Sequence, residues 1–174
     1  MNVAIIGAGP LGRWLALAAA KAGFQVQLED VMPANLHHAQ EYIRREYSHD
    51  AAVTYVSTIE DAVRAADLVI DCVPDELESK LEIFCLLDRM APPRTIIATP
   101  TTRLSIADLA SCTYRADKCL GIVVDARRFA EAIPPGSLTL RTGPQTSAAT
   151  IEIVESFWRR LGFAPEFESD PDAA

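Results

Sequence analysis

Short apolar runs rich in β-branched residues recur along this chain, separated by stretches in which apolar side chains return every three or four positions. The first run, residues 3–6, reads as a buried strand, residues 11–21 as an alanine-rich helix, and Gln25–Glu29 as a second strand. Residues 33–47 have helical spacing, with Pro33 suited to the first turn and Leu36, Tyr42 or Ile43 turned inward. Val53–Val56 reads as a short strand. Thr58 then stands three residues before Asp61, a capping spacing that predicts a brief helix over residues 59–65. Residues 67–73 form the strongest internal strand, which Pro74 stops, and residues 76–90 carry Leu77, Leu81, Phe84 and Leu86 or Leu87 at helical spacing until Pro92-Pro93. A strand over 95–99, a helix capped by Ser105 and running through Leu109, and a strand over 119–124 follow. An extra strand over 137–141 comes after the Pro134-Pro135-Gly136 turn, and residues 146–161 make a last helix. Strands alternating with helices imply an α/β fold with a doubly wound, mostly parallel sheet, because parallel neighbours need helical crossovers and those are right-handed. No internal repeat is present. The acidic end from Glu166 reads as an edge strand that closes a single domain over 1–170, with 171–174 as a frayed tail.

At the first strand-to-helix junction the residues are Gly7-Ala8-Gly9-Pro10-Leu11-Gly12. Gly7 sits where the chain must turn sharply, Gly9 lets backbone approach a pyrophosphate, and Gly12 removes a side chain where helix packs on strand. That helix aims its unpaired N–H groups at the phosphates. A lone GxGxxG is weak, but here it follows a strand, opens a helix, and is trailed about 20 residues on by Asp30 at the end of the second strand. The expectation is a Rossmann-type dinucleotide-binding domain. A carboxylate at position 30 accepts both ribose hydroxyls of an adenosine and repels a 2′-phosphate. Val31, Met32 and Pro33 bring no Arg to it, so NAD is favoured over NADP, and FAD ranks lower.

Composition bounds the rest. With 174 residues, 49% hydrophobic and 23% charged, one domain can bury roughly 70% of its unfolded surface. A net charge of −8 and the lack of a basic stripe disfavour nucleic acid and anionic membranes. The N-terminus enters a core strand almost at once, and no apolar run reaches 18 residues, so a soluble, cytoplasmic protein is expected. Cys72, Cys85, Cys112 and Cys119 form no CxxC pair and have no His at ligand spacing, so they read as reduced, mostly buried thiols and not as metal ligands. His37, His38 and His49 fall on or beside the helix after the second strand, on the adenosine side. Adjacent helix positions diverge by about 100°, so His37 and His38 make no chelate.

Two further blocks carry a family likeness. The stretch Ala66-Asp-Leu-Val-Ile-Asp-Cys-Val-Pro-Asp-Glu-Leu-Glu-Ser-Lys80, continued by Leu86-Leu-Asp-Arg-Met-Ala-Pro-Pro-Arg-Thr-Ile-Ile-Ala-Thr99, resembles the NAD-binding domain of 3-hydroxyacyl-CoA dehydrogenases. So does Leu104-Ser-Ile-Ala-Asp-Leu-Ala110, and the likeness runs from Asn2 to about Asp170. The resemblance implies that Gly7, Ala8, Gly9, Pro10, Leu11 and Gly12 hold the pyrophosphate and Asp30 the adenine ribose. Val73, Pro74, Asp75 and Lys80 would border the nicotinamide half. The family usually has Glu where Asp75 stands, one methylene longer, so a hydrogen bond there is weakened or water-bridged; Asp75 also reads as a helix N-cap.

The family's catalytic pattern is where this chain departs. The family oxidises a hydroxyl with a His base, held by a Glu, in a segment Gly-x-His-Phe-x-Asn-Pro, and the matching stretch here is Gly121-Ile-Val-Val-Asp-Ala-Arg127. Val123 stands at the histidine position and carries no proton. The orienting Glu falls near Thr139, and the family's Ser-Ser pair is Thr102-Arg103, which leaves the Thr102 hydroxyl as the candidate catalytic group. Arg127 and Arg128 read either as a clamp for an anion or as a solvated loop paired with Asp125 or Glu131.

The helical acyl-CoA domain that follows in the family is expected to be absent. Three readings of function stand. One is a stand-alone NAD-binding module of degenerate chemistry that senses dinucleotide or presents it to a partner. Another is an active or split oxidoreductase using Thr102, Asp125 or a bound water, completed by a homodimer or a separate acyl-CoA-binding domain. The last is a scaffold with a vestigial site. Trp14, Phe157, Trp158 and Leu161 read as core, with a dimer interface as the alternative.

Overall fold

The computed structural model describes residues 1–47, 52–125 and 136–170. Eight strands form one sheet: β1 (Asn2–Ile6), β2 (Gln25–Glu29), β3 (Val53–Val56), β4 (Leu68–Asp71), β5 (Ile96–Pro100), β6 (Cys119–Ile122), β7 (Ser137–Thr142) and β8 (Ala164–Ser169). Their order is β3-β2-β1-β4-β5-β6-β7-β8, and every pair is parallel except β6 with β7. The strand order reverses between β1 and β4, which opens a crevice beyond their carboxyl ends where ligands of such sheets bind.

Among the described residues the α-helices are α1 (Pro10–Lys21), α2 (Pro33–Glu46), α3 (Ile59–Val63), α4 (Leu77–Met90), α5 (Ile106–Ala110) and α6 (Ala148–Arg160). Alternate strand residues feed opposite cores. Val3, Ile5, Leu28 and Ile70 join α1, α2 and α6 on one face, while Ala4, Ile6, Val69 and Ile97 join α3, α4 and α5 on the other. Phe24, Phe157, Trp158 and Phe163 close the first core with ring centroids 5.1–5.5 Å apart, Trp158 meeting Phe157 and Phe163 edge to face and Phe24 tilted against Phe157. Trp158 and Phe157 are buried, and Trp14 and Leu161 pack against the same cluster.

Several element ends differ from the sequence expectation, each for a local polar reason. The strand expected over 67–73 spans only Leu68–Asp71, because the Asp71 carboxylate accepts the Val73 N–H at 3.0 Å and turns the chain. The strand expected to reach Val124 ends at Ile122, where the Val124 N–H folds back to the Ile122 carbonyl at 2.9 Å. The last helix starts at Ala148 instead of 146, because the Ser147 hydroxyl caps it by accepting the Thr150 N–H at 3.2 Å. The edge strand begins at Ala164, and buried Asp170 after it accepts the Ser105 hydroxyl at 2.9 Å and the Ala107 N–H at 2.8 Å. The residues read as a tail, 171–174, lie outside the described residues. The caps expected at Thr58 and Ser105 are formed, each accepting an N–H three residues on at 3.2 Å.

Candidate functional site

The carboxyl ends of β1, β4, β5 and β6 enclose an open cleft of about 800 Å³. Gly9, Pro10, Leu11 and Gly12 form one wall, residues 72–76 the floor beside it, and Thr102, Arg103 and Asp125 the far side. The glycine wall is built by three different constraints. Gly7 has φ +99°, a conformation side chains rarely adopt, and its N–H donates to the Glu29 carbonyl at 2.8 Å. A Cβ on Gly12 would collide with the Gly7 carbonyl, so only glycine lets α1 approach β1 this closely. A Cβ on Gly9 would meet no atom within 4 Å, so the space above it opens into the cleft. The helix itself has no side-chain cap, and its first-turn N–H groups lack intrahelical partners. An anion fits this end on both counts.

Asp30 is 8% exposed and tied into the same loop. Its Oδ2 accepts the Ala8 N–H at 2.9 Å and the Asn35 Nδ2 at 3.1 Å, and its Oδ1 accepts the Met32 N–H at 2.8 Å. The carboxylate thus fastens the glycine loop to the start of α2, with a lone-pair position left over for a ribose hydroxyl. Asn35 is a partner that the spacing rules had no means of marking.

Beside it, Glu29 is 6% exposed. Burial first, and the neighbouring Asp30 charge second, push its carboxyl from an ordinary 4.5 to about 7. The folded chain therefore holds this proton more tightly than the unfolded chain. The contribution of Glu29 to stability is complete below 4.5 and is lost as pH rises through about 7. Relative to the native protein, Glu29→Gln is expected to gain on the order of 2 kcal/mol between about pH 5 and about pH 8. Urea melts of both proteins at the two pH values measure this, and a pH-independent difference refutes it.

Of the residues that the resemblance assigns to the nicotinamide half, Val73, Pro74 and Asp75 line the cleft, whereas Lys80 does not. Lys80 is fully buried beneath the floor, its ammonium 3.2 Å from Asp71 Oδ2, 3.2 Å from the Val73 carbonyl and 3.4 Å from the Asp71 carbonyl. The Thr99 hydroxyl donates to the same Asp71 oxygen at 3.0 Å. Burial drives the Asp71 carboxyl upward, opposed by the Lys80 ammonium and by hydrogen bonds from Val73 and Thr99. Lys80 thereby holds the turn that carries Val73 and Pro74. Asp71, an acid inside an apolar strand nine residues before a lysine, was the signal for this pair.

Asp75 ties the floor to the far wall. Its Oδ2 accepts the Thr102 N–H at 3.2 Å, and its carbonyl accepts the Arg103 guanidinium at 3.1 Å. Its Oδ1 is buried with no hydrogen-bond partner among the described residues, which leaves an acceptor for a ligand hydroxyl. Thr102 and Arg103 are exposed on the cleft wall, and Arg103 is a cation whose place there spacing alone did not reveal.

Val123 is half-buried, and its N–H donates to the Thr139 carbonyl at 2.9 Å. Continuing the antiparallel register of β6 and β7, in which Ile122 pairs with Leu140, sets Val123 directly across from Thr139. Among the described residues no histidine lines the cleft. His37 and His38 lie on α2, and His49, Arg127 and Arg128 lie outside the described residues. Among the described residues no group of three or more His, Cys, Asp or Glu side chains is placed to hold a metal ion, and no helix is long and apolar enough to cross a membrane.

Comparison with known proteins agrees with this geometry. The family described as 3-hydroxyacyl-CoA dehydrogenase, NAD binding domain, matches residues 2–165. The mitochondrial hydroxyacyl-coenzyme A dehydrogenase of Sus scrofa is 30% identical over 94% of this chain and 57% of its own length. A 3-hydroxybutyryl-CoA dehydrogenase of Bradyrhizobium diazoefficiens is 31% identical over 92% of this chain and 58% of its own. The crystal structure of (S)-3-hydroxybutyryl-CoA dehydrogenase from Ralstonia eutropha superposes with a TM-score of 0.86 at 25% identity, covering 99% of this chain and 64% of that one. The chain therefore spans somewhat more than half the length of these relatives.

Proposed function

Because the chain belongs to the family of 3-hydroxyacyl-CoA dehydrogenase NAD-binding domains, we propose that it is a cytoplasmic NAD-holding module whose own hydride chemistry is degenerate. In this reading the α1 N-terminus and Gly9 receive the pyrophosphate, Asp30 the adenine ribose, and Val73, Pro74 and Asp75 the nicotinamide half. Bound NAD supplies a hydride acceptor. Oxidising an alcohol with it also requires a base for the hydroxyl proton. The observation that carries the proposal is the facing pair Val123 and Thr139, neither of which titrates, at or near the positions that the resemblance matches to the family's His and Glu.

Calorimetric titration with NAD, NADH and NADP in parallel tests the cofactor half. NAD or NADH is expected to bind at least about tenfold more tightly than NADP, because the 2′-phosphate would meet Asp30. Absence of binding by all three leaves a vestigial scaffold. The chemical half is tested with 3-hydroxybutyryl-CoA, where turnover is expected about 100 to 10,000-fold below that of an enzyme with its base in place.

A second reading, a slow oxidoreductase, is favoured by one observation: Thr102 and Asp125 line the same cleft. In it Thr102, Asp125 or a water takes the proton, and a homodimer or a separate acyl-CoA-binding domain completes the substrate site. Turnover lost in Thr102→Ala or Asp125→Asn would select that reading.

A further inference from the structure

Two thiols meet behind the cleft walls. Cys85 lies in the middle of α4 and Cys112 two residues past the end of α5. The Cys85 sulfur is 3.9 Å from the Cys112 carbonyl oxygen, and the Cys112 sulfur is 3.8 Å from the carbonyl of Leu81, one turn before Cys85 on α4. Each sulfur thus reaches into the other's segment. The expectation of mostly buried cysteines fails here: Cys119 is buried and Cys72 and Cys112 are half-buried, but Cys85 is exposed. A pair of adjacent thiols, one open to solvent and one behind it, has the arrangement needed for disulfide exchange.

We propose that Cys85 and Cys112 form a dithiol site that reacts with a low-molecular-weight disulfide such as oxidised glutathione and closes to a reversible Cys85–Cys112 bond. The Cys85 thiolate attacks one sulfur of the glutathione disulfide, whose S–S bond breaks, and the first glutathione thiolate leaves and takes up a proton. Cys112, its proton released to solvent, then attacks the Cys85 sulfur and expels the second glutathione. Two protein thiols are oxidised and one glutathione disulfide is reduced to two thiols, so the exchange needs no other electron carrier. Exposure makes Cys85 the first to react. Burial, and next the neighbouring Cys85 thiol, push the Cys112 thiol up to about 12, so it does not capture a reagent from solution, and its attack on the Cys85 adduct is carried by proximity.

The crosslink acts on the elements that form the cleft. Helices α4 and α5 leave its floor and far wall, which are already tied through Asp75 to Thr102 and Arg103. A bond between Cys85 and Cys112, 27 positions apart, adds a covalent tie behind them. Closing a loop of that length in the unfolded chain is expected to raise the thermal midpoint by roughly 5–10 °C.

The test equilibrates the full chain with oxidised glutathione and maps its peptides without reduction. The expected result is a peptide pair joined through Cys85 and Cys112, loss of two free thiols, a higher thermal midpoint, and reversal by dithiothreitol. Cys112→Ser should stop at a glutathione adduct on Cys85, and Cys85→Ser should leave Cys112 unoxidised. A stable Cys85 adduct in the native chain, a Cys112–Cys119 bond, or no loss of thiols would each overturn the proposal. The native-chain map decides the matter even if a variant fails to fold.

Discussion

Lys80→Met is expected to destabilise the protein by about 3–5 kcal/mol, the typical cost of removing one partner of a buried ion pair. Lys80 and Asp71 are both fully buried, and the ammonium also serves two backbone carbonyls at the end of β4. Methionine fills a similar volume and strands the Asp71 charge, which retains only the Val73 N–H and the Thr99 hydroxyl. The folded-state carboxyl of Asp71, already raised from 3.8 by burial, then rises further. A carboxyl raised in the folded state contributes its stability below the unfolded value and loses it as pH increases, so the defect should deepen from about pH 5 to about pH 8. Adding Asp71→Asn removes the stranded charge and should recover most of the loss. Urea melts of the native protein, the single variant and the double variant at both pH values check this. Loss of less than about 1 kcal/mol in the single variant, within the range of ordinary surface changes, would show that Lys80 is not the counter-charge.

How far the sequence reveals this arrangement depends on the range of the interaction. The strands and the larger helices follow from local periodicity, and the Thr58 and Ser105 caps from a three-residue spacing, because both ends of each interaction lie within one turn of chain. Gly7, Gly9 and Gly12 were legible because each answers a distinct steric demand at one junction. What stayed hidden joins distant segments. Position 80 could be placed by resemblance at the nicotinamide end, yet its ammonium reaches under the floor to Asp71 and supports the cleft without lining it. Asp30 was recognised as an acid at a strand end, but its bond to Ala8 spans 22 positions, and the link from Asp170 to Ser105 spans 65. The same limit applies to strand ends. Asp71 stops β4 by capturing the N–H of Val73, a competition between side chain and ladder that hydrophobic pattern does not encode.

Combining Val123→His with Thr139→Glu is expected to raise NAD reduction in the presence of 3-hydroxybutyryl-CoA by about 100-fold or more over the native chain, the lower end of what a positioned general base supplies. The argument rests on register. The Val123 N–H donates to the Thr139 carbonyl, which sets the two residues opposite each other just past the end of β6. Cross-strand partners stand about 4.5–5.5 Å apart at Cβ, within reach of an imidazole and a carboxylate that hydrogen-bond to each other. The carboxylate introduced in place of Thr139 would hold one ring nitrogen and leave the other to take the hydroxyl proton. Val123→His alone should give a smaller gain, because the imidazole lacks its orienting partner, and Thr139→Glu alone should give none. Binding of NAD and of the acyl-CoA is measured on each variant by titration, so that a missing ligand is told apart from a missing base. If the double variant binds both and turns over no faster, then β6 and β7 do not present these positions to the bound hydroxyl, and what limits turnover lies in the architecture around the cleft instead of in the identity of residue 123.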